Sequence, residues 1–307
     1  MPSPESPAFV IAIVATYRRS ALLGRLLASL QSVQTRLAVL VVDNADDPDT
    51  EAVICAMKGP LEVTRLLPGS NLGCGGGLAY GERAALERHP EATHFWILDD
   101  DAVVSPRALE LMLAAMKTEG AASACPTILD ERGHNHWIPG LLSPRNFRVL
   151  KTRCTKDAYL AQCGPAPVRF SWAAGISLLV TRQAFERLGP HREDFWIRGD
   201  DIEFSLRYTY QDAGVFVPEA VVSHLPPSAT ASPQAFKAER KKEMSMLRNH
   251  AYIAFHLPHG RRILNKLPGN LWRFIMAFGP WSLWDALKSI WQGGALKLPA
   301  GAEPRIF

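Results

Sequence analysis

The sequence predicts an α/β fold, with a mostly parallel central sheet flanked by helices and a helical extension at the C-terminus. Three observations predict it. Short apolar runs alternate with segments of helical period from Phe9 to Lys117. The run Leu37 to Val42 is apolar throughout, as in a parallel strand covered on both faces. Charge also divides the chain: residues 1–234 carry 22 Lys and Arg against 26 Asp and Glu, whereas residues 235–307 carry 12 against 4. The tail is therefore a separate electrostatic object.

Phe9 to Ala15 is apolar and β-branched, and forms the first strand. Leu22 to Ser32 repeats apolar residues at helical spacing. Leu37 to Val42 is the second strand, and Asp43-Asn44-Ala45-Asp46-Asp47-Pro48 turns the chain. A helix over Thr50 to Met57 and a strand over Leu61 to Leu66 follow. Asn71 to Gly77 reads as a glycine-rich loop that opens a helix from about Leu78 to Arg88. The next strand ends at Leu98, and a helix runs from Pro106, a residue suited to a first helical position, to Lys117. Strands and helices in this alternation favour parallel pairing. After Ala124 the pattern loosens, and residues 130–168 are rich in Pro, Arg and Asn. Apolar character resumes over Phe170 to Val180. Helices near Gln183 to Leu188 and Glu203 to Ala213 follow, then short strands at Val215 to Val217 and Ala220 to His224. The division is a disordered lead over 1–7, a main domain over 8–230 and a basic, Trp-rich helical region over 231–307, broken at Pro258, Pro268 and Pro280.

Hydrophobic content of 47% and charged content of 21% supply an ordinary globular core. The five cysteines are odd in number and lack CxxC spacing, which argues for reduced thiols in a cytosolic setting rather than a disulfide framework or zinc site. The N-terminus lacks the basic and apolar stretches of a signal peptide. No run reaches about 18 uncharged apolar residues, the length a membrane span needs.

Chemistry concentrates in a few places. Asp99-Asp100-Asp101 ends the apolar run Phe95-Trp96-Ile97-Leu98, and ligands of open α/β sheets bind beyond the carboxyl ends of strands. Three adjacent carboxylates repel unless a cation relieves them, and hard divalent ions on phosphates use such oxygen-rich sites; a solvated acidic turn has the same sequence. Gly73-Cys74-Gly75-Gly76-Gly77 fits neither GxGxxG after the first strand nor GxxxxGK[ST]. Its glycines would still let backbone approach a ligand, or form a plain flexible loop. Asp43, at the end of the second strand, could accept from a base or ribose, or simply close its turn. Asp200-Asp201-Ile202-Glu203 begins a helix. It reads either as a cap favoured by the macrodipole or as a general base beside a metal-bound phosphate. His224, at the end of a short strand, is a candidate metal ligand.

Taken in order, these pieces resemble the family-2 glycosyltransferases, whose fold is GT-A, a Rossmann-like sheet flanked by helices. The resemblance spans roughly residues 8–225. It rests on Val14-Ala15-Thr16-Tyr17-Arg18-Arg19, Val41-Val42-Asp43-Asn44, Asn71-Leu72-Gly73, the Asp99-Asp100-Asp101 "DXD" element, Phe195 through Arg207, and His224. The DDxE with a downstream His is similar to the galactofuranosyl- and rhamnosyltransferase-like branch. That resemblance implies Asp99 and Asp101 holding Mn²⁺ or Mg²⁺ on the donor diphosphate, with His224 as a further ligand. It implies Asp201 as the catalytic base, with Asp200 and Glu203 binding the acceptor or orienting the base. Thr16, Arg18, Asp43, Asn71, Gly73 and Asp100 would line the nucleotide pocket, and Trp172 would belong to the sugar platform. Cys74-Gly75-Gly76-Gly77 departs from the usual loop, and Arg248-Asn249 is similar to the relatives' "RN" helix without its tyrosine pair.

The implied reaction is metal-dependent, inverting transfer of a galactofuranose- or rhamnose-like sugar from a UDP- or TDP-sugar to a hydroxyl of a lipid-linked surface glycan. The basic, Trp-rich tail suits an anionic membrane surface, packing on the catalytic domain, or a second subunit. It carries no nucleic-acid recognition motif. The implied place is cytoplasmic, peripheral on the inner face of the cell membrane. The alternatives are a GT-A-like nucleotidyltransferase and a noncatalytic membrane-bound scaffold.

Overall fold

The computed structural model describes residues 7–137, 139–140, 167–226, 233–257 and 266–296. The lead over 1–6, most of the loosely patterned stretch after residue 130 and the linker before Pro233 lie outside the described residues. The first half reads β1 (Phe9–Thr16), α1 (Ser20–Leu30), β2 (Arg36–Asp43), α2 (Pro48–Ala56), β3 (Glu62–Leu66), α3 (Gly73–Arg88) and β4 (His94–Asp99). It continues with β5 (Ala102–Val104), α4 (Ala108–Glu119), β6 (Ser123–Leu129) and β7 (Asn135–Trp137). Then come β8 (Val168–Arg169), β9 (Ser177–Thr181), α5 (Arg182–Leu188), α6 (Asp200–Gln211) and β10 (Gly214–His224).

One sheet runs β3-β2-β1-β4-β9-β6-β10-β5, with β7 on β6 and β8 on β10. The parallel sheet expected from the sequence is its first half, β3-β2-β1-β4. Beyond β4 the sheet is mixed: β9 is antiparallel to both neighbours, β6 and β10 are parallel, and β5 and β8 run against β10. Antiparallel neighbours need no helical crossover, and the helix-period signal fades where these strands begin. The two short strands expected before His224 are one strand, with a register shift between Val217 and Val221. Pro218 lies in that shift, where its missing N–H leaves no ladder bond unmade.

Although β1 is apolar throughout, its side chains sort by period two. Val10, Ala12 and Val14 join Leu23, Leu26 and Leu27 of α1 in one core layer. Phe9, Ile11 and Ile13 join Leu78 and Ala85 of α3 in the layer on the other face.

The expected loop over 71–77 is instead the start of α3, which begins at Gly73, five residues before Leu78. Close packing explains the glycines. A Cβ added to Gly73 or Gly75 would lie 2.2 Å from the carbonyl oxygen of Trp196 or Phe195, and one on Gly77 would lie 2.7 Å from Asn44 Nδ2. The glycines thus let the first turns of the helix press against the segment leading into α6.

The tail forms α7 (Pro233–His256), α8 (Leu267–Phe278), a 3-10 turn (Pro280–Ser282) and α9 (Leu283–Ala295). Tyr252 of α7 meets Phe195 edge-on at 5.3 Å. Buried Asn249 donates through Nδ2 to the carbonyls of Ile197 (3.2 Å) and Arg198 (2.8 Å). The Arg248-Asn249 pair therefore ties the tail to the segment that precedes α6.

Candidate active site

Strand register gathers the acids. Thr16 pairs with Asp43 and Ala15 with Asp99, so β1, β2 and β4 end at one edge. Antiparallel β5 and β10 pair Ala102 with His224, which returns the histidine to the acidic turn. Ligand atoms of Asp99, Asp101 and His224 all lie within 4.8 Å of one another. His224 Nε2 is 3.1 Å from Asp101 Oδ1. Two buried atoms here, Asp101 Oδ1 and His224 Nδ1, lack a hydrogen bond of good geometry. Orphaned buried lone pairs of this kind are costly, and the two-oxygen, one-nitrogen donor set suits a divalent cation. Burial, then repulsion from Asp101 and Asp100, pushes the Asp99 carboxyl well above the usual range. Burial acts the same way on Asp101, but His224 and Arg19 outweigh it and hold that carboxyl low.

Asp99 and His224 share a cleft of about 180 Å³ with Cys74, Trp137, Gly175, Arg198, Asp200 and Asp201. Asp200 and Asp201 open α6 behind Gly199, whose φ of 85° gives the chain its left-handed entry. Asp201 Oδ1 accepts from its neighbour Ile202 N at 2.8 Å and Oδ2 from Gly175 N at 3.2 Å, which fixes the carboxylate at the cleft wall. Burial raises the pKa of both acids, and repulsion from Asp201 adds to the rise at Asp200.

The other sequence-proposed residues lie outside the lining of this cleft. Asp100 turns away from the Asp99–Asp101–His224 cluster: its Oδ2 accepts from Thr16 Oγ1 at 2.7 Å and its Oδ1 from Arg19 Nη1 at 2.9 Å. Arg18 is exposed, with φ 53°. Asp43 is buried, accepting from Ala45 N, Asp47 N and the Arg65 guanidinium. It lines a second cleft of about 130 Å³ with Asn44, Gly69 and Ser70. Asn71 Oδ1 accepts from Gly73 N at 2.9 Å, closing the turn into α3. Glu203 is fully buried in a two-point pair with Arg207, at 3.1 and 3.0 Å. Two helical positions beyond Asp201 rotate it about 200° away from the cleft. Trp172 packs against the cluster of Phe195, Leu206 and Tyr252, with Lys266 Nζ 5.4 Å above its ring.

The structure also brings in residues the sequence left without a role. Arg19 bridges Asp100 and Asp101 from the residue next to Arg18. Asn44 ties the two glycine-side segments by accepting from Leu72 N and donating to the Gly73 carbonyl. Arg198, left-handed at φ 62°, lines the cleft and pairs with Glu239 and Glu243 of α7. His136 lies against His224 with ring centroids 4.8 Å apart, and Trp137 beside it is a cleft aromatic where Trp172 is not. Arg19, Asn44 and Arg198 sat inside visible motifs; the hairpin strand of His136 and Trp137 carries no period to read.

Comparison with known proteins agrees with this architecture. The profile of glycosyl transferase family 2 matches residues 11–175, and the chain belongs to that family. An N-acetylglucosaminyl-diphospho-decaprenol L-rhamnosyltransferase from Mycobacterium tuberculosis is 28% identical over 242 residues, covering 70% of this chain and 76% of the relative. The mannosyltransferase PcManGT from Pyrobaculum calidifontis, solved with GDP-Man and Mn²⁺, superposes with a TM-score of 0.56 at 18% identity, over 98% of this chain and 80% of that one. TarS residues 1–349 from S. aureus, in complex with UDP, gives 0.61 at 13% identity, over 94% and 81%. The fold is GT-A with a helical C-terminal region, and the protein is a glycosyltransferase.

Proposed function

We propose that this enzyme is a metal-dependent, inverting glycosyltransferase. It moves a rhamnose- or galactofuranose-like sugar from a UDP- or TDP-sugar to a hydroxyl of a lipid-linked surface glycan, working as a peripheral protein on the cytoplasmic face of the membrane. One observation carries the reading: Asp99 and His224 of the acid–imidazole cluster share a cleft with Asp201, a carboxylate held by two backbone N–H groups. The rhamnosyltransferase relative supports the sugar and the lipid-linked acceptor.

Asp99, Asp101 and His224 would hold the cation, and imidazole among carboxylates favours Mn²⁺ over Mg²⁺. When bound, the cation acts as a Lewis acid on the diphosphate leaving group. Arg19 holds Asp100 and Asp101 in place. Asp43, Ser70 and Gly69 border the space for the nucleoside, with Thr16, Arg18, Asn71 and Gly73 shaping the approach. Asp201 takes the proton of the acceptor hydroxyl as its oxygen bonds to the anomeric carbon. The anomeric carbon–oxygen bond to the diphosphate breaks in the same event, and the nucleoside diphosphate leaves with the electron pair. Attack from the face opposite the leaving group inverts the centre, and no covalent enzyme intermediate forms. Burial raises the proton affinity of the base, Asp200 lies beside it on the cleft wall, and Glu203 anchors α6 through Arg207.

A thermal-shift titration tests the reading. UDP or TDP with Mn²⁺ is expected to raise the melting temperature, by about 2.7 kcal/mol of linkage at 100 times Kd. Chelation, or Asp101→Ala, is expected to remove the metal-dependent part of that rise. Equal stabilisation with and without the cation would refute metal dependence.

A further inference from the structure

Helix α9 turns mostly small residues inward, with Ile290 half-buried beside them. Its buried residues are the small Ala286, Ser289 and Gly293, and the outward positions hold Trp284 (75% exposed), Leu287 (43%) and Trp291 (72%). A helix folding only onto its own protein turns its large apolar side chains inward. Gly293 explains the inward face: an added Cβ there would lie 1.9 Å from the Arg248 carbonyl oxygen of α7, so small residues are needed for close approach. Nothing in that packing calls for tryptophan outside. The preceding elements repeat the pattern. Trp272 (65%) and Met276 (66%) stand one turn apart on α8, and Trp281 in the turn between the helices is 93% exposed. Four of the chain's eight tryptophans are thus exposed within the 20 residues from Trp272 to Trp291. Exposed large apolar side chains gathered in one short region mark a docking site when they form a patch.

We propose that the face formed by Trp272, Met276, Trp281, Trp284, Leu287 and Trp291 docks on the surface of an anionic lipid bilayer. Tryptophan, an apolar body with one N–H donor, is the residue enriched where hydrocarbon meets headgroups. The charge around the face is complementary to anionic lipid. Residues 235–307 hold 12 cationic side chains against 4 acidic ones, and three of those acids, Glu239, Glu243 and Asp285, are already paired with Arg198, Arg273 and Arg240. Cations flank the aromatics directly, Arg273 beside Trp272 and Lys288 beside Leu287. The helices lie on the bilayer instead of crossing it. α8 has 12 residues and α9 has 13, which span about 20 Å against about 30 Å of hydrocarbon.

The placement deepens the proposed function and rests on that reading for the acceptor alone. Asn270 of α8 contacts His250 of α7 at 3.0 Å, and the His250 ring lies against Gly199, the residue that caps α6 ahead of Asp200 and Asp201. The docking face is thus joined through one helix to the residues that start the catalytic helix.

The test uses the full chain and vesicles, with no nucleotide or sugar present. Wild type is expected to cosediment with vesicles of phosphatidylcholine and phosphatidylglycerol, to bind pure phosphatidylcholine more weakly, and to lose the difference near 1 M salt, where the Debye length is about 3 Å. Its tryptophan emission is expected to shift to the blue on binding. The triple variant Trp281→Ala/Trp284→Ala/Trp291→Ala is expected to bind at least about tenfold more weakly, with unchanged circular dichroism and unchanged nucleotide-induced thermal shift. Vesicle binding that the triple variant leaves intact overturns the proposal. So does a wild-type dimer in sedimentation equilibrium that the variant abolishes, since the face would then meet a second copy. Because the binding arm needs no catalysis, its failure is separable from failure of the transferase reading, which the thermal shift reports.

Discussion

Replacing Asp201 by Asn separates base chemistry from architecture. Asp201 Oδ1 accepts from Ile202 N at 2.8 Å and Oδ2 from Gly175 N at 3.2 Å. An asparagine has one acceptor oxygen and keeps only one of these bonds, a loss of about 1 kcal/mol. Against that loss, the variant removes one of two adjacent carboxylates whose pKa values burial has raised. The two effects oppose each other at similar size, so the melting temperature is expected to move by only a few degrees. Catalysis has no such compensation. An amide cannot take the acceptor proton, and general-base catalysis contributes about 10²- to 10⁴-fold, or about 3–5 kcal/mol of transition-state stabilisation. The assay is transfer from labelled nucleotide sugar, run beside the Mn²⁺-dependent thermal shift. The expected result is turnover lower by at least about 100-fold with nucleotide binding unchanged. Turnover within about tenfold of wild type would refute the base assignment, and loss of nucleotide binding would mean that Asp201 serves the donor site instead.

Asp200→Asn is expected to stabilise the enzyme at neutral pH in the absence of metal. Burial and Asp201 raise the folded-state pKa of Asp200 above its unfolded value, so wild-type stability falls as pH climbs above the unfolded pKa near 4; melting curves from pH 4 to 7 should show the variant's advantage growing with pH. Arg65→Met leaves the fully buried Asp43 carboxylate without its guanidinium partner; with the turn N–H groups retained, denaturation should show a loss of about 3 kcal/mol. Gly75→Ala places a methyl 2.2 Å from the Phe195 carbonyl oxygen and 3.2 Å from Asp200 Cβ; it should destabilise by about 3 kcal/mol or more. Gly120→Ala, with φ 58° and open space around it, should lose only about 1 kcal/mol.

The first half of the fold was legible because each buried parallel strand is a continuous apolar run and each covering helix keeps its own period. β1, β2 and β4 needed nothing else. The second half was less so, because β7 and β8 are only three and two residues long and take their place from neighbours. Gly73 to Gly77 misled for a physical reason: glycine has low helix propensity, yet here the Trp196 and Phe195 carbonyls leave no space for a side chain. Tertiary packing overrode local preference.

The site was legible at a coarser grain. Acids at strand ends imply a common edge, and that edge formed, but sequence adjacency cannot say which way each carboxylate turns. In Asp99-Asp100-Asp101 the middle residue points to Thr16 and Arg19 while its neighbours join His224. In Asp200-Asp201-x-Glu203 the helical period divides the set: the first two face the cleft and Glu203 faces Arg207. One rule covers both motifs. Where several carboxylates crowd together, some have both oxygens held by fixed protein partners, and those that keep an oxygen no arginine holds are the candidates for a bound ion or a proton. Thr16 and Arg19 hold both oxygens of Asp100 and Arg207 holds both of Glu203, whereas Arg19 takes only Oδ2 of Asp101 and leaves Oδ1 toward His224. Asp99 and Asp201 have no such ion pair among the described residues, and burial raises the proton affinity of both. The proposed division of labour, Asp99 and Asp101 for the cation and Asp201 for the acceptor's proton, matches the oxygens the arginines leave free.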